Sequence, residues 1–208
     1  MVLAWGFVGW ACRPDTYRGG LSVELGYETD TLLFDTVLVQ AGSITKRFKI
    51  YNPSDQDLLV DRIALGSALA GSSRPSGFRL NINGLAANQA QNLRLAAGDS
   101  LYIFAEVTVN PNDSLTPYLV TDSVLFFTGQ RVGKVMLTAF GQNARFYRDS
   151  IIGTTVWTKD LPIVIYNSIL VDSQATLWIQ PGTRIFLNAG STIYVNGTLR
   201  AQGTAQEP

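Results

Sequence analysis

The chain has 208 residues, with 16 Lys and Arg against 16 Asp and Glu, so its formal net charge is zero. A balance of this kind gives no long-range field to gather nucleic acid or an anionic membrane surface. Hydrophobic residues make up 46% and charged residues 15%, a composition that buries a core and does not stay disordered. His is absent and Cys occurs once, which removes Ser-His-Asp and Cys-His nucleophiles, His-ligated metals, Cys-rich zinc sites and any intrachain disulfide. No cofactor is expected.

Residues 1–11, MVLAWGFVGWA, form an uncharged apolar run that ends at Cys12. The run is far shorter than the ~20 residues a membrane-spanning helix requires, but it has the length of a signal-peptide apolar region. Gly9, Trp10, Ala11 and Cys12 resemble the lipobox of bacterial lipoproteins. That resemblance implies cleavage before Cys12 and acylation of its thiol, which makes Cys12 the lipidation site and the membrane a partner through the acyl chains. It implies an address in the bacterial cell envelope, at the outer membrane or cell surface. Trp10 is bulky for its place, and no Lys or Arg precedes the run, which points to a start further upstream. The competing reading makes the segment a buried first strand and Cys12 an inert core thiol. Residues 12–27, with Gly19-Gly20 and scattered charges, read as a tether.

From Thr31 to Phe146 the apolar pattern has period two. Leu101, Ile103, Ala105, Val107 and Val109 alternate with Tyr102, Phe104, Glu106 and Thr108; Val135, Leu137 and Ala139 alternate with Met136, Thr138 and Phe140. Turn signals punctuate the runs at Asn52-Pro53-Ser54-Asp55, Asn83-Gly84, Ala97-Gly98-Asp99, Asn110-Pro111-Asn112-Asp113 and Thr128-Gly129. Strands are expected to begin near Leu32, Thr45, Leu58, Phe78, Leu93, Leu101, Leu119 and Lys134. About seven or eight strands over this length is the size of an immunoglobulin-like sandwich. No capped amphipathic helix is expected. The order Phe34-Asp35-Thr36-Val37, Lys46 to Pro53, Leu58 to Ile63, Ala97 to Leu101 and Thr138 to Gly141 resembles the Ig-like modules of the ASH/major-sperm-protein type, which implies a spacer or adhesion unit.

Two features of this region invite a site reading. Asn110, Asn112, Asp113 and Asp122 supply oxygen ligands suited to Ca²⁺, but their spacing matches no helix-flanked calcium loop, and an Asx-rich turn is the favoured reading. Tyr102 and Phe104 share the face opposite the aliphatic set. They form either a stacking platform or, the favoured expectation, a face covered by a loop or the second domain.

Beyond Arg148 short apolar runs are cut every few residues. Ile169 to Val171, Leu177 to Ile179, Ile185 to Leu187, Ile193 to Val195 and Leu199 to Ala201 are candidate strands, while Gly182, Gly190, Gly197 and Gly203 lie 8, 7 and 6 residues apart by subtraction. Such short strands suit a coil in which each rung covers the last. Pro162-Ile163-Val164, Val171, Ala175-Thr176-Leu177, Ile179, Pro181-Gly182-Thr183, Ile185, Gly190, Ile193, Val195, Gly197-Thr198-Leu199, Ala201 and Gly203-Thr204 resemble the opening rungs of right-handed parallel β-helix proteins of the pectin-lyase-like fold. Within that family a further strand follows soon after this point, so the sequence reads as the N-terminal part of a longer protein.

Little chemistry is left to place. A glycosidase needs two facing carboxylates, and nothing brings Asp160 and Asp172 together. Asn196-Gly197-Thr198 fits a glycosylation sequon that matters only in a eukaryotic secretory setting. The expected architecture is all-β: residues 28–147 an Ig-like β-sandwich, and residues 148–208 the N-terminal rungs of a right-handed parallel β-helix. The expected role is a lipid-anchored envelope protein that binds polysaccharide or a surface protein, with no catalysis in this chain and no nucleic-acid partner. The alternative is an N-terminal part of a carbohydrate-active β-helix lyase or hydrolase whose active rungs lie elsewhere.

Overall fold

The computed structural model describes residues 24–71, 76–112 and 114–206. Residues 1–11, Cys12 and most of the expected tether lie outside that range.

The sandwich is built from β1 (Gly26–Tyr27), β2 (Thr31–Leu38), β3 (Lys46–Tyr51), β4 (Leu58–Leu65), β5 (Phe78–Ile82), β6 (Leu85–Ala86), β7 (Gln89–Leu95), β8 (Ser100–Val107), β9 (Tyr118–Thr128) and β10 (Arg131–Gln142). One sheet runs β1-β3-β8-β5-β6 and the other β2-β10-β9-β4-β7. The first long strand, β2, joins the last, β10, in parallel, and every other described pairing in these two sheets is antiparallel. The layout is an immunoglobulin-like sandwich.

Alternation explains the core. Phe48 and Ile50 of β3, Ile103, Ala105 and Val107 of β8, and Val135, Leu137 and Ala139 of β10 are all buried. Each large aliphatic or aromatic side chain so buried contributes about 1.5–3 kcal/mol. Two aromatic contacts tie the sheets face to face. Phe34 on β2 meets Phe78 on β5 with centroids 5.7 Å apart, and Phe48 on β3 meets Phe126 on β9 edge-on at 6.3 Å. With no disulfide possible, this aliphatic and aromatic burial carries the sandwich.

Several details differ from the sequence expectation: the sandwich has ten strands among the described residues and not seven or eight, and Gly26–Tyr27, expected in the tether, pairs with β3 as β1. A single helical turn, α1 (Gly66–Leu69), follows β4 and packs on β9. The seventh strand begins at Gln89, ahead of Leu93, and it is a polar edge strand held by pairing to β4. The chain leaves the sandwich at Asn143-Ala144, a few residues before the expected boundary at 147/148, because β11 (Arg145–Ile152) pairs with β13 (Ile163–Val171) and not with either sandwich sheet.

The remaining strands are β12 (Thr155–Trp157), β14 (Thr176–Ile179), β15 (Ile185–Leu187), β16 (Thr192–Val195) and β17 (Thr198–Ala201). They form two small sheets in which every described pairing is parallel: β11-β13-β15 with β16 also on β13, and β12-β14-β17. A second core lies here, made of Ile152, Trp157, Ile163, Ile165, Ile169, Val171, Ala175 and Leu177. Trp157 is wholly buried, meets the Tyr147 ring at 5.3 Å with a tilt of 34° and donates its indole N–H to the Tyr147 hydroxyl at 3.2 Å.

Candidate binding surfaces

The outer face of the β1-β3-β8-β5-β6 sheet carries the side chains that alternation turns away from the core. Register assembles them into rows. Arg47 of β3 pairs with Phe104 of β8, Phe104 with Asn81 of β5, and Asn81 with Ala86 of β6. One step along, Lys49 pairs with Tyr102, and on the other side Glu106 pairs with Arg79. The expectation that a loop or the second unit covers Tyr102 and Phe104 is not met: Tyr102 is 41% exposed and Phe104 37%. The favoured packing reading is corrected because the C-terminal strands build their own core and do not fold back over this sheet.

Phe104 lines an open cleft of about 620 Å³ together with Arg79, Asn81, Glu106 and a rim of Ala86, Ala87 and Asn88. The volume falls inside the range typical of small-molecule sites, ~300–1,000 Å³. The rim is fixed by backbone bonds. The Ala87 N–H donates to the Leu80 carbonyl at 3.1 Å, the Leu80 N–H donates to Asn88 Oδ1 at 3.1 Å, and the Asn88 carbonyl accepts from Leu65 N–H of the opposite sheet at 2.9 Å.

Charge in the cleft is balanced. Arg79 Nε donates to Glu106 Oε1 at 3.1 Å, and Arg79 Nη2 donates to Thr108 Oγ1 at 2.9 Å. The pair is exposed, so it contributes at most about 1 kcal/mol to folding. Beside the cleft the Arg47 guanidinium sits 4.9 Å over the Tyr102 ring. Among the described residues, Asn81 Oδ1 is the buried side-chain acceptor left without a hydrogen-bond partner. An unsatisfied buried polar atom costs about 1–3 kcal/mol, and sites that retain one call for an explanation.

Further aromatics lie on the parallel-paired strands, Phe146, Tyr166, Phe186 and Tyr194 on the β11-β13-β15 sheet with β16, and Trp178 on the β12-β14-β17 sheet. Phe146 stacks on Tyr166 at 6.2 Å and 16°, with Arg148 4.9 Å over the same Tyr166 ring. Arg200 lies 5.4 Å over Trp178, and Phe186 and Tyr194 are exposed.

The other sequence candidates are not gathered. Asp113 lies outside the described residues. Asn112 Oδ1 accepts from the Ser114 N–H at 2.9 Å, an Asx turn, and the Asn110 carbonyl accepts from the Tyr118 hydroxyl. Asp122 instead accepts from the Ser67 N–H of α1 at 3.1 Å and from the Ser76 hydroxyl. The Asx-turn reading holds at Asn112, while strand β9 carries Asp122 to α1 and away from the asparagines. No group of three or more acidic or Cys residues able to hold a metal occurs among the described residues. Asp160 accepts from Thr158 Oγ1 at 2.9 Å and Asp172 from the Ser173 N–H at 2.7 Å, each in its own loop. Asn196 donates its N–H to the Val171 carbonyl at 3.0 Å. Cys12 lies outside the described residues.

The sequence missed Asn81, Asn52 and Asn143. The first two sit beside residues that were read as strand and turn, but a lone Asn carries no signal of burial. The two phenols with raised pKa lie away from the cleft. Burial first, and the Glu24 carboxylate second, push the Tyr27 phenol from 10.0 up to about 12, and burial raises Tyr118.

No family model and no curated protein matches this chain. Among solved structures, it is similar to a family 123 glycoside hydrolase from Clostridium perfringens at 6% identity and a TM-score of 0.43, covering 67% of this chain and 30% of that one. A protein of unknown function from Porphyromonas gingivalis W83 matches at 14% identity and TM-score 0.38, covering 63% and 60%. The chaperone DraB of E. coli matches at 13% and 0.36, covering 58% and 55%. The chain thus spans less than two thirds of the length of each. The class established by the sheets themselves is an all-β protein with an immunoglobulin-like sandwich and a C-terminal set of parallel-paired strands.

Proposed function

We propose that this chain is a non-catalytic binding module of a bacterial cell envelope, anchored through acylated Cys12, in which the Ig-like sandwich serves as the stalk for the opening rungs of a right-handed parallel β-helix. The observation that carries the reading is the parallel register. By subtraction, Ile163 pairs with Ile185, Thr176 with Thr198 and Thr155 with Leu177 at 22 residues, Ser168 with Thr192 at 24, and the first strand, β11, with β13 at 18 to 19. Parallel pairing on two sheets beside one apolar core, at separations close to one rung length, supports a stacked coil. Parallel crossovers are right-handed in nearly all cases, which supports the hand. Stacked rungs line up their outward side chains, and the exposed aromatics Phe186, Trp178 and Tyr194 suit an elongated ligand, polysaccharide or protein.

Two measurements test this. In a Gram-negative host, radiolabelled palmitate is expected on the wild-type chain and not on Cys12→Ala, which should also leave the membrane fraction. An unlabelled, soluble wild type refutes the anchor. Purified protein is expected to cosediment with at least one of peptidoglycan sacculi, chitin or intact host cells, and failure with all of them refutes the binding role.

A further inference from the structure

The cleft on the sandwich is a second, separate place of recognition. We infer that it binds an uncharged carbohydrate ring, with Phe104 as the stacking platform and the Asn81 amide as the polar anchor. The inference rests on the binding-module reading and names a site and ligand class for it.

Four observations carry it. First, Phe104 is open to solvent on a rigid sheet and lines the cleft, while its neighbour on the same face, Tyr102, carries the Arg47 guanidinium 4.9 Å over its ring. Aromatic faces pack against the C–H face of a pyranose, whose other edge is all hydroxyl. Second, Asn81 lines the cleft in register between Phe104 and Ala86, and its Oδ1 has no partner. The last torsion of Asn is soft and roughly two-fold. Oδ1 therefore has no bond to lose when the amide turns to meet a hydroxyl donor, whereas the amide N–H groups serve a hydroxyl acceptor. Third, Arg79 and Glu106 cancel each other at 3.1 Å. The cleft lining carries no net charge, which favours a neutral ligand over a basic peptide, and Arg47 and Lys49 on the same face make an anionic sugar the competing ligand of the test. Fourth, Phe104 lies on β8, which β3 and β5 pair on both sides, and the sheet edge at the cleft rim is only the two-residue strand β6. An extended peptide would find little backbone ladder there to join.

The test titrates purified protein with neutral linear trisaccharides, cellotriose, maltotriose, mannotriose and chitotriose, and follows binding by calorimetry and by ¹⁵N chemical-shift changes. At least one is expected to bind and to shift the Asn81 side-chain amide. Phe104→Ala is expected to weaken that binding about tenfold or more. Asn81→Ala should weaken it severalfold, while Phe104→Tyr retains it. Val132→Ala, in the β9–β10 hairpin, should change nothing. Circular dichroism and the urea midpoint of each variant establish that it is folded.

Binding that survives Phe104→Ala but is lost in Trp178→Ala overturns the cleft assignment and leaves the binding-module reading standing. No binding of any neutral sugar, with binding of an anionic sugar or a peptide at Phe104, overturns the ligand class. No binding at the cleft of any of these, together with no cosedimentation, overturns both.

Discussion

The Asn143 side chain holds Asn112 across the exit from the sandwich. Its Nδ2 donates to the Asn112 carbonyl at 2.6 Å and to Asn112 Oδ1 at 2.9 Å, and also reaches the Ser114 carbonyl at 2.6 Å. Asn143 Oδ1 accepts the Asn112 N–H at 3.3 Å in return. Asn143 is buried and sits at the point where the chain leaves β10 for the parallel-paired strands. One amide therefore fixes the long β8–β9 loop against the end of β10.

Asn143→Ala is expected to lower stability by on the order of 2–3 kcal/mol, since it strips partners from several carbonyl and N–H groups at once. Urea unfolding checks the loss. Amide exchange should rise first between residues 110 and 116.

Asn52 plays the same part at the other end. It is buried, and its Nδ2 donates to the carbonyls of Gln56, Leu95 and Ala96 at 2.6–3.2 Å while Oδ1 accepts from Ser54 N–H and Oγ. Asn52→Leu keeps the bulk and removes every bond, so the carbonyls are left unpaired. The expected cost is again about 2–3 kcal/mol, and Asn52→Asp should also fail because a carboxylate cannot donate to three carbonyls. A midpoint equal to wild type for either variant refutes the role.

Two glycines of the C-terminal unit should behave oppositely. A Cβ at Gly197 would run into the carbonyl oxygens of Asp172 and Ala175, both backbone atoms of the preceding turn. Gly197→Ala is expected to cost about 2–4 kcal/mol, by the mechanism of overpacking against groups that cannot yield. Gly153 has nothing within 4 Å of such a Cβ and no left-handed φ. Gly153→Ala should lie within about 0.5 kcal/mol of wild type. Thermal unfolding of both variants decides it.

Tyr27 predicts an alkaline limit. Its phenol titrates at about 12 in the folded chain against 10.0 unfolded, chiefly through burial over Gly133 and against Phe126, and secondly through Glu24. Below pH 10 the group is protonated in both states and its contribution is whole. Between 10 and 12 the unfolded chain releases its proton first, so stability falls as pH rises, and the loss is complete above the folded value. Tyr27→Phe should flatten that part of the urea-midpoint profile, and an unchanged slope would refute the assignment.

Much of the fold was legible because alternation is local. The run Leu101 to Val109 was read as one strand and forms one at Ser100–Val107; Ile185 to Leu187 is a strand with the bounds expected of it. The strand Arg145–Ile152 was missed because its pattern breaks at Asp149, which has φ 47°, and its register against β13 shifts between Arg148 and Ser150. Within Gln89–Leu95 a strand is expected only from Leu93 onward. Its residues are polar and exposed along the edge, with Asn92 at φ 55°, so only pairing with β4 makes it a strand.

The sequence alone determined the all-β class, the turns at Asn, Gly and Pro, and which side chains face inward, because each depends on neighbours a few residues away. It also determined, through its missing His and single Cys, which chemistries have no residues to perform them. Tertiary structure decided the cleft and the junction. Arg47, Phe104, Asn81 and Ala86 come from four separate strands, and no local pattern aligns them; their common row is fixed by cross-strand register. Asn143 meets Asn112 because β10 ends beside the loop before β9. Register is a long-range property, set by how both sheets bury their inner faces together.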